Sequence, residues 1–568
     1  MNMNNTAGPF IKYTNLVDDE WLGSVLFLTK KSDEEKPTLR VLSPGLSCRL
    51  RPAKLLDTCL GWHFWRFEVA ITLGPEETAV EYEVSSDGTT RSSTFYVQAK
   101  GQPFHLGYTS CNGISLSIPA DHHARQDPTY CWRDILQLHK KHPIHVLIGG
   151  GDQVYSDGVW KKEAFVAWGD LHRHRKRAAP WTQEHQEQAT AYYLENYLAS
   201  FTAPVVRDAY ASLPSYMIWD DHDIWDGYGS YSKKLQACEF FSGLFAVAKR
   251  FYLLFQLHTT EEAANANEQL EWIDQEKADG YHSVKSLGPQ VAAIGIDMRS
   301  KRTKHRIIPE STYRIIEEQM MGLPEHVEHV IVLSGVPVVF PSIFMAESIL
   351  FGMLALFKRS AILRRAGRRL GVLDQFDQPE ILDDLLDGWA SSKHKDERNR
   401  FLTLLQRCAL AKRYRVSILS GDAHVGGVGE IYGATRPRLP KEDDELFTYQ
   451  IISSAVMNSP PPPGVVSALT RTNFSKRINH HTRSKMQKAF ESSSTSSSSS
   501  MSSPSSSSSS SPPSRKPAKL LDQRNWCEIT ATEDAGLRFS LRAERPGEDP
   551  RSYEFIAPRF PTRTESCE

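Results

Sequence analysis

Three stretches of this chain place acidic and imidazole side chains directly after runs of apolar residues. The first is His145-Val146-Leu147-Ile148-Gly149-Gly150-Gly151-Asp152-Gln153-Val154-Tyr155-Ser156-Asp157. Its glycines allow tight turning and close backbone approach, and Asp152 has no Lys or Arg beside it in sequence, so a carboxylate released there calls for a cation. Taken alone, Asp152 is also compatible with a structural turn. The second is Met217-Ile218-Trp219-Asp220-Asp221-His222-Asp223-Ile224-Trp225-Asp226. Three acids and an imidazole in four consecutive positions would repel one another severely if buried without a metal, and Trp219 and Trp225 argue against free exposure. The third is Val416-Ser417-Ile418-Leu419-Ser420-Gly421-Asp422-Ala423-His424. Three such strand ends are hard to explain as independent turns. Together they point to oxygen-rich ligation with some imidazole, which suits Ca, Mg, Mn or iron better than a thiolate zinc site.

The elements that must position these residues follow from the surrounding pattern. Short apolar runs at residues 144–148, 215–219, 291–296, 329–333 and 416–419 are bounded by Gly, Ser or acidic residues, as buried strands of α/β layers are. Ligands of such folds bind in the crevice beyond the carboxyl ends of the strands. Between the runs, Ile381, Leu382, Leu385, Leu386 and Trp389 have helical spacing, as do Phe401, Leu404, Leu405 and Cys408. Residues 1–100 read instead as a β-rich, sandwich-like module of short runs separated by turn residues; the 64–69 run alternates only partially. Residues 461–525 read as a linker whose 492–514 segment is nearly all Ser, with a few Pro, and cannot build a core. Residues 526–568 read as a hairpin turning at Asp534-Ala535-Gly536, followed by a tail.

Composition narrows the function classes. The 67 Lys and Arg against 68 Asp and Glu give a net charge of −1, so no global field draws the chain to nucleic acid. The start of the sequence lacks a basic segment followed by an apolar one, and the longest apolar stretch, 343–357, falls short of the ~20 residues of a spanning helix. A cytoplasmic location is the expectation. The eight cysteines form no CxxC pair and exclude a disulfide scaffold. His172-Arg173-His174-Arg175-Lys176-Arg177 reads as a solvated insert, and His122-His123 and His480-His481 as exposed loops. The 343–369 segment is basic and amphipathic. A buried or lid helix neutralised by acids at 374–387 is the preferred reading, with contact to a membrane surface as the other.

The set Ser110-Cys111-Asn112, Gly151-Asp152 with Tyr155, Trp219-Asp220-Asp221-His222-Asp223, Asp297 with Arg299, and Ser420-Gly421-Asp422 with His424 resembles the PhoD-like (alkaline phosphatase D) metallophosphatases, in their fungal form. Ser453-Ser454-Ala455 followed by Asn458-Ser459-Pro460 resembles the closing strand of that family. The resemblance implies a four-layer αββα sandwich, with residues 101–460 as the catalytic domain. It implies a phosphoesterase whose iron(III) is held in part by Cys111, Asp152 and Tyr155, whose cluster is completed by calcium, and whose further metal ligands are Asp221 and Asp422. By itself Cys111 reads as a core thiol. Two departures bear on the metal: many members carry Cys-Gln where this chain has Cys111-Asn112, and the bacterial enzymes' twin-arginine export signal is absent, so Mn, Mg or Zn stay open.

A multi-metal cluster suits phosphoester hydrolysis, which needs phosphoryl charge neutralised and a water activated. His222 is then the candidate general acid or phosphate contact. His424 is a ligand or an orienting group, as are Asp220, Asp223 and Asn112. Arg299 either forks onto a phosphate oxygen or forms a salt bridge with Asp297. The expected partner is a small-molecule or lipid phosphate ester. The alternatives are a catalytically weak protein that keeps the fold and binds a phosphate or lipid headgroup, and a peripheral scaffold using the basic helix and Ser tail. The intact acid cluster favours the enzyme, because a scaffold gains nothing from maintaining that repulsion.

Overall fold

The apolar runs form the strands Val146–Gly150, Ser215–Ile218, Val291–Gly295, His329–Ser334 and Arg415–Ser420, each buried at every position. Strands covered on both faces read as continuous apolar runs for that reason. The computed structural model describes residues 5–30, 36–115, 127–265, 280–341, 388–461, 475–491 and 517–562, with 466, 469 and 470. The segments 343–369, 374–387 and 492–514, the helical pattern at Ile381, Leu382, Leu385 and Leu386, and His122-His123 lie outside the described residues.

The chain is a mixed α/β protein with two large sheets. In the 11-stranded sheet, Leu106–Thr109, Val146–Gly150, Ser215–Ile218 and Thr6–Val17 run parallel. In the 9-stranded sheet the parallel set is Val291–Gly295, His329–Ser334, Arg415–Ser420 and Thr448–Ile452. One apolar cluster gathers residues of both sheets, among them Ile148 and Ile218 from the first and Ile331, Leu419 and Ile451 from the second. The opposite faces bury against helices. Leu147 and Met217 pack with Gln183–Phe201 and Glu239–Phe255, and Val330 and Ile418 with Glu310–Gly322 and Lys395–Lys412.

The amino-terminal strands extend the first sheet. Thr6–Val17 pairs in parallel with Ser215–Ile218, Lys12 opposite Ser215, and antiparallel with Glu20–Lys30, which pairs with Trp62–Thr72. Ile11, Val25, Phe67 and Val69 enter the cluster between the sheets, while Phe10, Leu26 and Phe64 enter the helix-covered one. With both faces buried, strict alternation of apolar and polar residues is not required, which accounts for the partial pattern at 64–69. Thr38–Val41, Thr78–Ser86 and Thr89–Val97 form a separate three-stranded sheet. The hairpin expected near the carboxyl end is present as Asn525–Ala531 and Leu537–Ala543, and it joins the first sheet at Cys527 opposite Tyr108.

Two expected surface features are also in place. His174, Arg175, His480 and His481 are exposed, although Lys176 is buried with its ammonium over the Trp168 ring. Among the described residues no helix is long and apolar enough to cross a membrane.

His329, at the start of its strand, is 2% exposed and donates from Nε2 to the Ala535 carbonyl (2.8 Å). Burial pushes its pKa down to about 4, so the native state holds the ring neutral while the unfolded chain protonates it below its ordinary value near 6.5. The resulting penalty is absent above pH 7 and grows as pH falls from 6.5 towards 4. His329→Gln, which keeps a donor, should lose about 3 kcal/mol less stability than wild type over that window. Urea unfolding at pH 7 and near pH 4 checks this.

Candidate metal centre

The loops after the strands of both sheets meet at one place. Ser110 Oγ donates to the Ser453 carbonyl (2.9 Å), and Val456 N–H donates to the Ser110 carbonyl (3.0 Å). Close approach needs glycine at two points. A Cβ on Gly151, whose φ is 110°, would lie 2.6 Å from Asp220 Cβ, and one on Gly335 would lie 2.7 Å from Asp220 Oδ1. Four non-glycine residues here hold positive φ: Cys111 at 57°, Asp152 at 55°, Asp422 at 70° and His424 at 49°. Such conformations cost ~1–3 kcal/mol each and persist where surrounding bonds enforce them.

The strand-end acids converge. Asp152, Asp220, Asp221 and Asp422 each offer an oxygen within 4.8 Å of the others, and Asp152, Asp221 and His222 form an overlapping group on the same criterion. All five side chains are buried. Arg299 is the buried guanidinium among them: its Nε bonds Asp220, and its Nη2 lies 3.2 Å from Asp221 Oδ1. Burial pushes the Asp152 carboxyl well up, opposed by His222 and reinforced by Asp221, Asp220 and Asp223. Burial raises Asp220 too, against the pull of Arg299. For Asp221 the burial effect is outweighed by Arg299, His222 and the Gly227 N–H, and its pKa falls. Asp220 Oδ2 is buried with no hydrogen-bond partner.

A second group adjoins the acids. Cys111 Sγ lies 3.4 Å from Asp152 Oδ2 and accepts from Ser454 Oγ (3.1 Å). The Tyr155 hydroxyl is 2.9 Å from His424 Nε2 and accepts from Asn458 Nδ2 (3.1 Å), and its ring stacks on His222 at 4.2 Å. Burial, then Asp152, pushes the Cys111 thiol well up; burial, then Cys111 and Asp152, does the same to the Tyr155 phenol. His424 is pushed down to about 3 by burial and the His222 charge, so its ring is neutral. Burial opposes protonation of His222, yet Asp157, whose Oδ2 is 2.7 Å from Nδ1, together with Asp152 and Asp221 raises its pKa well above the ordinary value.

Other residues singled out in the sequence serve as fasteners. Asn112 accepts from Trp132 Nε1 (2.9 Å) and donates to the Gln153 carbonyl (3.2 Å). The Arg299 side chain bonds Asp220 and Asp221; Asp297 instead accepts the Arg299 backbone N–H (2.9 Å) along with Trp219 Nε1 (2.9 Å). Asp223 accepts four N–H bonds, from Asp152, Asp220 and Val154 backbones and from Gln256 Nε2, at 2.9–3.1 Å. Asp223→Ala would strand those buried donors and should cost about 3 kcal/mol or more, read as a fall in the urea midpoint of the metal-free protein. Of the further residues that fasten the site, Asp157 stands five residues past Asp152 in the same motif, and Ser454 and Asn458 stand in the segments that resemble the family's closing strand, whereas Gln256 and Gly335 carry no signal in the sequence.

The donor set fits a cation. Hard carboxylate oxygens crowd a buried site, and one of them, Asp220 Oδ2, lacks a hydrogen-bond donor. The cluster could therefore hold a metal ion, with a thiol and a phenol adjoining it. Residues 75–361 and 357–550 match the family model described as "PhoD related phosphatase". A Saccharomyces cerevisiae protein, "Uncharacterized protein YGR266W", is 29% identical over 520 residues, covering 83% of this chain and 71% of the yeast protein.

Proposed function

This chain belongs to the PhoD-related phosphatase family, and from that premise we propose that it is a metal-dependent phosphoesterase acting on phosphate esters of small molecules or lipids. The observation that carries the reading is the set of four carboxylates within 4.8 Å of one another. Asp152, Asp220, Asp221 and Asp422 would hold the metal, with Cys111, Tyr155 and His424 placed to complete the ligation, and the family's iron and calcium are the first candidates. A bound cation supplies Lewis acidity, neutralising phosphoryl charge and acidifying water.

The chain's own groups do the rest. Arg299 fixes the orientation of Asp220 and Asp221 with a permanent charge. Asp157 holds the His222 ring by Nδ1 and keeps it protonated, leaving Nε2 to donate to a leaving alkoxide or to contact phosphate. Within this reading the two sheets and their outer helices form the four-layer metallophosphatase sandwich, with residues 101–460 as its catalytic part.

Purified protein assayed with an aryl phosphate monoester and a bis-aryl phosphodiester, before and after chelation, tests the proposal. Turnover of at least one ester should disappear with chelator and return with Ca, Fe, Mn, Mg or Zn. Bound metal without turnover of either would contradict the enzyme and leave a headgroup-binding protein.

A further inference from the structure

A cavity of about 620 Å³ lies at the opposite ends of the strands that carry the acids. Its walls come from four elements: the start of Thr6–Val17, the Thr89–Val97 strand, and the carboxyl-terminal parts of the helices Tyr130–Lys141 and Pro204–Ser212. Those helices run into Val146–Gly150 and Ser215–Ile218, whose far ends lead to Asp152 and Asp220. Strands of four or five residues span ~15 Å, so the cavity and the acid cluster are well separated.

The lining is cationic. Arg91, Lys140 and Arg207 reach it from three different elements against one carboxylate, Asp208. Asp208 Oδ1 accepts from Arg207 Nε (3.1 Å) and Nη2 (3.0 Å), and Arg91 Nη2 donates to the Thr6 carbonyl (3.2 Å). Among the described residues no carboxylate bridges the two guanidinium groups. Burial, and then the Arg207 charge, lowers the Arg91 pKa, so convergence of these like charges carries a cost that a bound anion would relieve. Hydroxyls of Ser92 and Thr94 line the same strand, and the Tyr96 ring, edge-on to His139 at 5.3 Å, gives an aromatic wall. The volume falls within the roughly 300–1,000 Å³ of small-molecule sites, more than an inorganic oxyanion needs.

We propose that this cavity is a second site, distinct from the metal centre, that binds the phosphate group of a small organic molecule, with Arg91, Lys140 and Arg207 as its anchors. Arginine recognises phosphate through paired N–H donors, and the apolar and aromatic wall accommodates the organic part.

The test uses the full chain carrying Asp152→Asn, with chelator present to silence the metal centre, so it does not depend on the phosphatase reading. Phenylphosphonate, a non-hydrolysable probe, is titrated calorimetrically. It should bind one to one at millimolar or tighter affinity and protect amides of residues 89–97 and 204–212 from hydrogen exchange. Arg91→Gln, Arg207→Gln and Lys140→Gln should each weaken binding by about tenfold or more. Lys140 is exposed on its helix, so its loss cannot be put down to misfolding. Absence of binding up to about 10 mM, or equal affinity in the Lys140 variant and its parent, would overturn the site. Inorganic phosphate binding as tightly as phenylphosphonate would overturn the organic part of the assignment.

Discussion

Asp152→Asn should lower phosphoester turnover by about a thousandfold or more while raising the melting temperature of the metal-free protein. Both effects come from one change. Asparagine keeps the shape of a side chain whose Oδ2 lies beside Cys111 Sγ and whose Oδ1 lies 3.3 Å from the His222 N–H, but it removes one of four crowded negative charges. In the metal-free protein that charge is unfavourable: burial raises the Asp152 pKa well above its ordinary value, His222 opposes the rise, and Asp221, Asp220 and Asp223 reinforce it. At neutral pH its loss therefore stabilises the fold. Under the proposed function a bound cation would take the same charge as a ligand, and several kcal/mol of Lewis-acid stabilisation would depend on it, which at 1.36 kcal/mol per decade is the predicted factor. A structural role alone would make activity and stability fall together. Differential scanning fluorimetry with chelator, beside steady-state assays with metal, separates the two.

His222→Asn should cost about 10²–10⁴ in kcat on an alkyl phosphate and far less on a p-nitrophenyl ester. The contrast arises because an alkoxide needs a proton as it leaves, whereas nitrophenolate does not. His222 is suited to supply it. Asp157 fixes Nδ1 at 2.7 Å and raises the pKa of the ring against the burial that opposes it, and the Tyr155 ring supports one face. His222 also lies within reach of Asp152 and Asp221 as a ligand. If ligation were its contribution, the loss would be similar for both esters. Asp157→Asn should reproduce the leaving-group contrast at smaller size, since it loosens the ring without deleting it.

Asp152, Asp221 and Asp422 were legible in the sequence because each follows a strand buried on both faces, where an apolar run ends abruptly in Gly or acid. Cys111 was not readable on its own, since a buried thiol looks the same whether it packs or ligates; the family resemblance singled it out. The partner of Arg299 was open between phosphate and Asp297. In the fold Asp297 is already occupied by Trp219 Nε1 and by backbone N–H groups, so the guanidinium turns to Asp220 and Asp221. Asp157, Gln256 and Asn458 act on partners 65, 33 and 303 positions away, a distance no local pattern encodes. The same holds for Thr6–Val17, whose parallel pairing with Ser215–Ile218 carries the amino-terminal strands into the central sheet.

In the proposed reaction, metal held by the carboxylate cluster is required for turnover. The most direct measurement titrates metal into chelator-stripped protein while following metal content and aryl phosphate hydrolysis in the same samples. Activity should rise in proportion to bound metal and saturate with it in the wild-type chain, and Asp152→Asn and Asp422→Asn should bind less metal and stay inactive. Stripped protein that turns over at the wild-type rate, or full metal binding and activity in the Asp152 variant, would contradict it.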